Sequence, residues 1–181
     1  MTNVHAKVRA ERVDDHAAIG DVIRAAFRGK LYAAGDEAEL VEKLRQQRAL
    51  VVSLVAELDG RVIGQITFSP AFPADGSNGW YALGPVAVLP DHQLRGVGSR
   101  LIDAGLERIV DMQATGCILT GNPEYYRRFG FVVSPSQAPA GEPSESFMIK
   151  SFKGRTPPGH FRFHPAFHPD TMSPPNNGGV Q

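Results

Sequence analysis

Between Gly84 and Leu101 the chain reads GPVAVLPDHQLRGVGSRL, and the residue types and spacing there suit the binding of an anion. Val86 to Leu89 is apolar and strand-like, Pro90 to Gly98 is a loop, and Gly96 and Gly98 sit at the mouth of a helix expected to begin near Ser99. The first N–H groups of a helix have no partner within it and lie at the positive end of its dipole, so such a loop can hold a phosphate or pyrophosphate. Glycine lets backbone and anion approach closely. Gln93, Arg95, Ser99 and Arg100 add side-chain donors nearby. Residue identity excludes two common phosphate loops. A dinucleotide fingerprint needs a third glycine where Leu101 stands, and a Walker loop needs Gly-Lys-Ser/Thr, which Gly98-Ser99 does not supply. On spacing alone the two glycines could equally be an ordinary turn.

Other reactive types carry less. His160, His164 and His168 are four apart, which would align them on a helix, but Pro165 and Pro169 forbid one, so no metal site is expected. Cys117 beside Ile118 and Leu119 reads as a small buried apolar residue, and as the single cysteine it has no disulfide partner within the chain. The N-terminus lacks the apolar core of a secretion signal, and no apolar run approaches a membrane span, so a cytoplasmic protein is expected. Nineteen Lys plus Arg against nineteen Asp plus Glu leave no net charge and no basic stripe, which argues against nucleic acid and acidic membranes as partners.

The elements that would position the loop alternate between strand and helix periods. Val8 and Ala10 lead, as a short strand, to Asp14-Asp15, either of which can cap a helix with apolar positions Ile19, Val22, Ile23, Ala26 and Phe27. A second helix is expected from Asp36, with Glu39 as capping-box partner and Leu40, Val41 and Leu44 as its stripe, to about Gln47. Val51 to Leu58 and Arg61 to Phe68 form a hairpin about Asp59-Gly60. After a loop over Pro70 to Gly79, Trp80 to Leu89 is a strand interrupted by Gly84-Pro85, a pair that marks a bulge or splay. A helix over Ser99 to Gln113, a strand over Gly116 to Gly121, a helical block over Pro123 to Phe129 and strands at Phe131 to Val133, Ser146 to Phe152 and Phe161 to Phe167 follow. The expected fold class is α/β, an α+β mixed sheet flanked by helices, with Trp80 to Gly121 as a parallel crossover unit. One domain over residues 8–168 is expected, with a flexible 1–7 and a disordered tail over 169–181 that holds three Pro, two Gly and two Asn.

Gln93-x-x-Gly96-x-Gly98 after a hydrophobic strand resembles the pyrophosphate loop of the GNAT superfamily of acetyl-coenzyme A-dependent N-acetyltransferases, Gln/Arg-x-x-Gly-x-Gly/Ala. Tyr126-Arg127-Arg128-Phe129-Gly130-Phe131 fits that family's Tyr-x-x-x-Gly-Phe pattern further on. The strings LVAELDGRVIG, LGPVAVLP, GNPEYYRRFGF and PSESFMIKSF look like a bacterial subgroup of predicted N-acetyltransferases, and the likeness spans Val8 to about Phe167. The resemblance implies a GNAT-like fold, acetyl-coenzyme A (acetyl-CoA) as co-substrate with no metal, and direct attack by a primary amine through a tetrahedral intermediate. It assigns the pyrophosphate to Gln93, Leu94, Arg95, Gly96, Val97, Gly98 and Ser99, and the pantetheine arm to the main chain of Val86, Ala87 and Val88. The residues agree, since a strand splayed at Gly84-Pro85 would leave N–H groups for that arm. By the same resemblance Tyr126 is the general acid and Asn122 a contact to the arm, while Tyr125 is expected on another face of its short helix.

This sequence departs from the family in one respect. Many relatives carry a carboxylate on the strand before the loop, and Trp80 to Leu89 has none. Glu57, and behind it Glu145 and His92, stand as general-base candidates, each also readable as a surface group, and a water relay would serve instead. The missing base keeps a second reading open, a non-catalytic acyl-CoA-binding sensor or interaction module. Acceptor choice is expected to lie with Phe27 to Glu39 and Pro70 to Gly79, with Tyr32 and Trp80 as lining, and a monomer or homodimer is expected.

Overall fold

The computed structural model describes residues 5–168, and the alternating periods of the sequence become, in order, β1 (Lys7–Ala10), α1 (His16–Phe27), α2 (Glu37–Gln46), β2 (Val52–Leu58), β3 (Arg61–Pro70), β4 (Phe72–Pro73), β5 (Trp80–Val88), α3 (Val97–Asp111), β6 (Gly116–Thr120), α4 (Pro123–Tyr126), β7 (Val132–Val133), β8 (Phe147–Ser151) and β9 (Phe161–Arg162). Seven strands make one mixed sheet in the spatial order β1-β2-β3-β5-β6-β8-β7, while β4 and β9 pair apart from it. The pairing of β5 with β6 is parallel, as the crossover through α3 requires, and the other pairs are antiparallel. The expected tail over 169–181 lies outside the described residues, and β1 begins at Lys7, one residue before the expected start of the domain.

Each helix lays an apolar stripe on a sheet face. Leu101, Ile102, Leu106 and Ile109 of α3 pack on Leu54, Ala56, Ile66 and Phe68, while Ile19, Val22 and Ile23 of α1 and Val41 of α2 cover Val55, Val62 and Ala87 on the other face. Burying a side chain of this kind contributes about 1.5–3 kcal/mol, so these two layers hold the sheet that carries the site. A third cluster joins Trp80, Ile118, Phe147 and Phe161. The hairpin turn forms as expected, with Asp59 at φ 50 and Gly60 at φ 76.

Several expectations fail at element ends, where side chains found other partners. Neither Asp15 nor Asp36 caps its helix through its side chain. Asp15 takes Arg9 and the Arg12 N–H instead, and the N–H groups of Ala34 and Gly35 go to the Glu37 carboxylate rather than to a capping box with Glu39. The expected strand over Phe161 to Phe167 is cut to two residues, because Pro165, which has no N–H, opens a 3-10 turn over Pro165–Phe167. Those two residues pair with Phe72–Pro73, so the loop over Pro70 to Gly79 contains a strand that the sequence pattern hides. The block over Pro123 to Phe129 splits into α4 and a 3-10 turn at Arg127–Phe129, ended by Gly130.

Candidate active site

The site begins with a miscount between two strands. Ile66 pairs with Val86 and Phe68 with Leu83, so Thr67 alone faces both Gly84 and Pro85: a β-bulge, with Gly84 at φ 139. Such a bulge bends its strand, and β5 leaves β6 at this place. Their parallel pairing runs from Trp80 and Gly116 to Ala82 and Ile118 and no further. From Pro85 to Val88 no strand among the described residues pairs with the edge of β5 on that side.

The open edge has a definite polarity. Leu89 donates its N–H to Ile63 O on β3, and the main chain alternates edges along a strand, so Ala87 also turns toward β3 while Val86 and Val88 turn into the cleft. Of the three residues expected to meet a cofactor arm through their main chain, Val86 and Val88 therefore present their N–H groups. Ala87 has its side chain buried under α1.

Beyond Val88 the chain climbs through a 3-10 turn at Pro90–His92 to α3. This helix starts at Val97, earlier than expected, because Gly96 takes a left-handed conformation, φ 79 and ψ 2, as its N-cap. No side chain caps α3, so the N–H groups of Val97, Gly98 and Ser99 in its first turn have no intrahelical partner. Val97 is buried and anchors the turn, whereas Leu94 is 93 % exposed at φ 59 and Arg95 is exposed at the rim. Gln93 does not point its amide nitrogen at this mouth. Its Nε2 donates to Val88 O at 2.9 Å, tying the loop to the end of β5.

Across the cleft stand the residues that follow β6. Tyr126 is half-buried, its ring packed so closely on Gly121 that a Cβ there would lie 2.6 Å from Cε2. Burial, and behind it the neighbouring Tyr125, Tyr32 and Cys117, push the Tyr126 hydroxyl well above the usual phenol range, so it stays protonated at neutral pH. Among the described residues that hydroxyl makes no hydrogen bond. Tyr125 turns another way from Tyr126: its hydroxyl reaches the mouth of α3, 3.3 Å from where a Cβ on Gly98 would stand, and Arg128 lies 4.5 Å from its ring centre. Adjacent positions on a helical turn point the two tyrosines apart, and their rings meet edge to face with centroids 5.0 Å apart. Asn122 caps α4, its Oδ1 accepting from the Glu124 N–H at 3.0 Å, which leaves its amide NH2 for a ligand.

The base candidates do not converge. Glu57 accepts from Arg9 at 2.7 Å, Glu145 is exposed in the turn before β8, and His92 sits in the turn between β5 and α3 with Nδ1 buried and unpartnered. Trp80 is 2 % exposed with its ring against Phe161 and lines a cavity with Pro70, Phe72, Pro73 and Tyr81, whereas Tyr32 is 78 % exposed on the α1–α2 connection. Burial drives the Cys117 thiol far above its ordinary value. The three histidines each engage a local group, Ala138 O for His160, the Ala166 N–H for His164 and Glu142 for His168. Among the described residues no three metal-ligating side chains gather, and no helix is long and apolar enough to cross a membrane.

A splayed strand beside an uncapped helix mouth, under a mixed sheet, defines a class of protein that the comparisons identify. Residues 14–131 match the acetyltransferase (GNAT) family. The chain is 31 % identical over 125 residues to the uncharacterized N-acetyltransferase YhbS of Escherichia coli K12, covering 68 % of this chain and 72 % of that one. Among solved structures it is similar to a GNAT family acetyltransferase from Brucella melitensis in complex with acetyl-CoA, with 42 % identity, a TM-score of 0.81 and coverage of 91 % and 99 % of the two chains. It is similar too to YhbS of Escherichia coli in complex with CoA, with 25 % identity, a TM-score of 0.83 and coverage of 92 % and 94 %. The chain belongs to the GNAT family of N-acetyltransferases.

Proposed function

We propose that this protein transfers the acetyl group of acetyl-CoA to a primary amine of a small molecule or a protein by direct attack. The observation that carries this reading is the alignment of two unpaired sets of N–H groups, those of Val86 and Val88 on the open edge of β5 and those of Val97, Gly98 and Ser99 at the start of α3. Their order along the chain, strand edge first and helix mouth next, suits an extended thioester arm ending in a pyrophosphate. The donor set fits that ligand, with main-chain N–H groups for the arm, a helix N-terminus for the phosphates and Arg95 at the rim. Gln93 acts by fixing the loop, and Tyr125 adds a hydroxyl beside the phosphate position.

In the reaction the amine nitrogen attacks the thioester carbonyl carbon, and the carbonyl oxygen gains negative charge as the tetrahedral intermediate forms. The Val86 N–H donates a hydrogen bond to that oxygen. Preorganised donors of this kind typically lower a barrier by ~2.7–4 kcal/mol. When the C–S bond breaks, the thiolate takes the Tyr126 phenolic proton, and the tyrosinate is restored by the proton that the attacking amine gives up through water. Burial raises the Tyr126 hydroxyl, so at neutral pH it carries the proton that it donates. The exposed Tyr32 and the α1–α2 connection bound the side from which the amine enters.

Release of coenzyme A across an amine panel tests the reading, with a rise in melting temperature on adding acetyl-CoA as the binding control. Release with at least one amine class is expected. A thermal shift without release from any amine would favour the non-catalytic acyl-CoA sensor, which the lack of a carboxylate on β5 also favours. No shift at millimolar ligand would overturn both.

A further inference from the structure

The central strand β3 carries an unexpected stripe. Gln65, Thr67 and Ser69 share the face that α1 and α2 cover, and all three are fully buried. Val55, Ala82 and Ala87 beside them on that face are apolar, and Ser53 opposite Thr67 is taken up by Glu11. Polar side chains in such a place are unfavourable unless they answer another polar group, and two of the three do. Thr67 Oγ1 donates to Gly84 O at 2.8 Å and lies 3.4 Å from Pro85 O, while Gln65 Nε2 donates to Pro85 O at 3.2 Å. Gln65 Oε1 and Ser69 Oγ have no partner among the described residues. The bulge explains the pattern. One residue of β3 faces two of β5, so the ladder cannot supply an N–H to each carbonyl there, and side chains from β3 take its place.

The Pro85 carbonyl and the Val86 N–H belong to one planar peptide unit and point in opposite directions. Holding Pro85 O toward β3 therefore aims the Val86 N–H into the cleft. We propose that Gln65 and Thr67 are positioning residues that, through the Pro85 and Gly84 carbonyls, set the direction of the Val86 N–H toward the reacting thioester oxygen. This rests on the acetyl-transfer reading above. It assigns a catalytic consequence to two side chains that touch neither substrate.

The test uses Gln65→Met and Thr67→Val, which keep volume and remove the donor, with Thr67→Ser as the conservative control. With an amine accepted by the wild type, each of the first two is expected to lower kcat about tenfold, a fraction of what losing an oxyanion donor outright would cost. Coenzyme A affinity by calorimetry stays within about threefold, and kcat is counted per binding-competent site, so a merely unfolded fraction does not mimic the effect. Thr67→Ser restores kcat to within about twofold. The Val86 amide resonance in 15N spectra supplies a readout independent of turnover, shifting with acetyl-CoA in the wild type and much less in Thr67→Val and Gln65→Met. Unchanged kcat in both variants, no recovery in Thr67→Ser, or a Val86 shift equal to the wild type overturns the positioning role. A wild type whose Val86 amide responds to acetyl-CoA but that acetylates no amine overturns the catalytic reading instead, and the two failures are told apart.

Discussion

Two regions of this molecule collect polar groups near strand ends and treat them in opposite ways. At the corner of β1, β2 and α1, Arg9 bridges Asp15 and Glu57, each at 2.7 Å, and Arg45 reaches Glu11 at 3.0 Å while Ser53 donates to the same carboxylate. In the cleft between β5 and α3, the N–H groups of Val86, Val88, Val97, Gly98 and Ser99 have no partner among the described residues, although the scaffold behind them is fixed by Gln93, Thr67 and buried Val97. Complete pairing makes the corner a source of stability. Incomplete pairing on a rigid frame makes the cleft a receptor, because its orientation is settled before a ligand arrives and little reorganisation remains.

Substitutions that separate the two regions give the largest effects. Gly98→Glu places a carboxylate in the first turn of α3, where it favours the helix dipole and competes with an anion for the same N–H groups. The Tyr125 hydroxyl must yield slightly to the new Cβ. Coenzyme A affinity is expected to fall by about a hundredfold or more, with a melting temperature within a few degrees of the wild type; retained affinity would reject the helix mouth as the phosphate site. Tyr126→Phe comes next. It removes the proton donor and leaves the ring on Gly121, so kcat should drop by roughly a hundredfold while coenzyme A affinity holds, as calorimetry beside steady-state kinetics would show. Equal turnover would return Tyr126 to a packing role.

The difference between the regions was partly legible in the sequence. Gly96 at the mouth of α3, the Gly84-Pro85 interruption and Gly130 after the Tyr126 segment marked the chain's turning points, because each is a local backbone requirement that one stretch of chain expresses by itself. The paired corner was not legible. Arg9 meets Glu57 across 48 residues and Arg45 meets Glu11 across 34, and nothing in a local pattern says that Asp15 will turn from capping α1 to hold Arg9. The same holds for Trp80, whose burial depends on a strand at Phe161, and for Thr67, whose partners exist only once β5 has bulged. Backbone specials are written locally; side-chain partners are a product of the assembled sheet.

Breaking the corner should leave the cleft intact. Arg9→Met strands Asp15 and Glu57, whose side chains are 10 % and 25 % exposed, and should cost about 2–4 kcal/mol, read as a fall in melting temperature of roughly 5–15 °C. Coenzyme A affinity measured well below that temperature should equal the wild type. A tenfold loss of affinity would show that the two regions are coupled, and the comparison would fail.

The smallest effect is a pH dependence confined to the corner. Hydrogen bonding from Arg9 holds Asp15 below the usual carboxylate range in spite of its burial, and the Arg12 N–H adds to it. For Glu11, burial alone would raise the value, but the hydrogen bonds from Arg45 and Ser53 outweigh it together and leave it lowered. A carboxylate whose folded value lies below its unfolded one binds protons more readily in the unfolded chain. Its stabilisation is therefore fully present above the unfolded values of about 3.9 for Asp and 4.3 for Glu, and is lost as pH falls below them toward the folded values. Chemical denaturation at pH 6 and at pH 3.5 should show the wild type losing stability on acidification, and Arg9→Met should lose less, because the Asp15 share has already gone. Equal losses in the two proteins would mean that Arg9 does not set the Asp15 titration, and that the acid sensitivity belongs to carboxylates elsewhere.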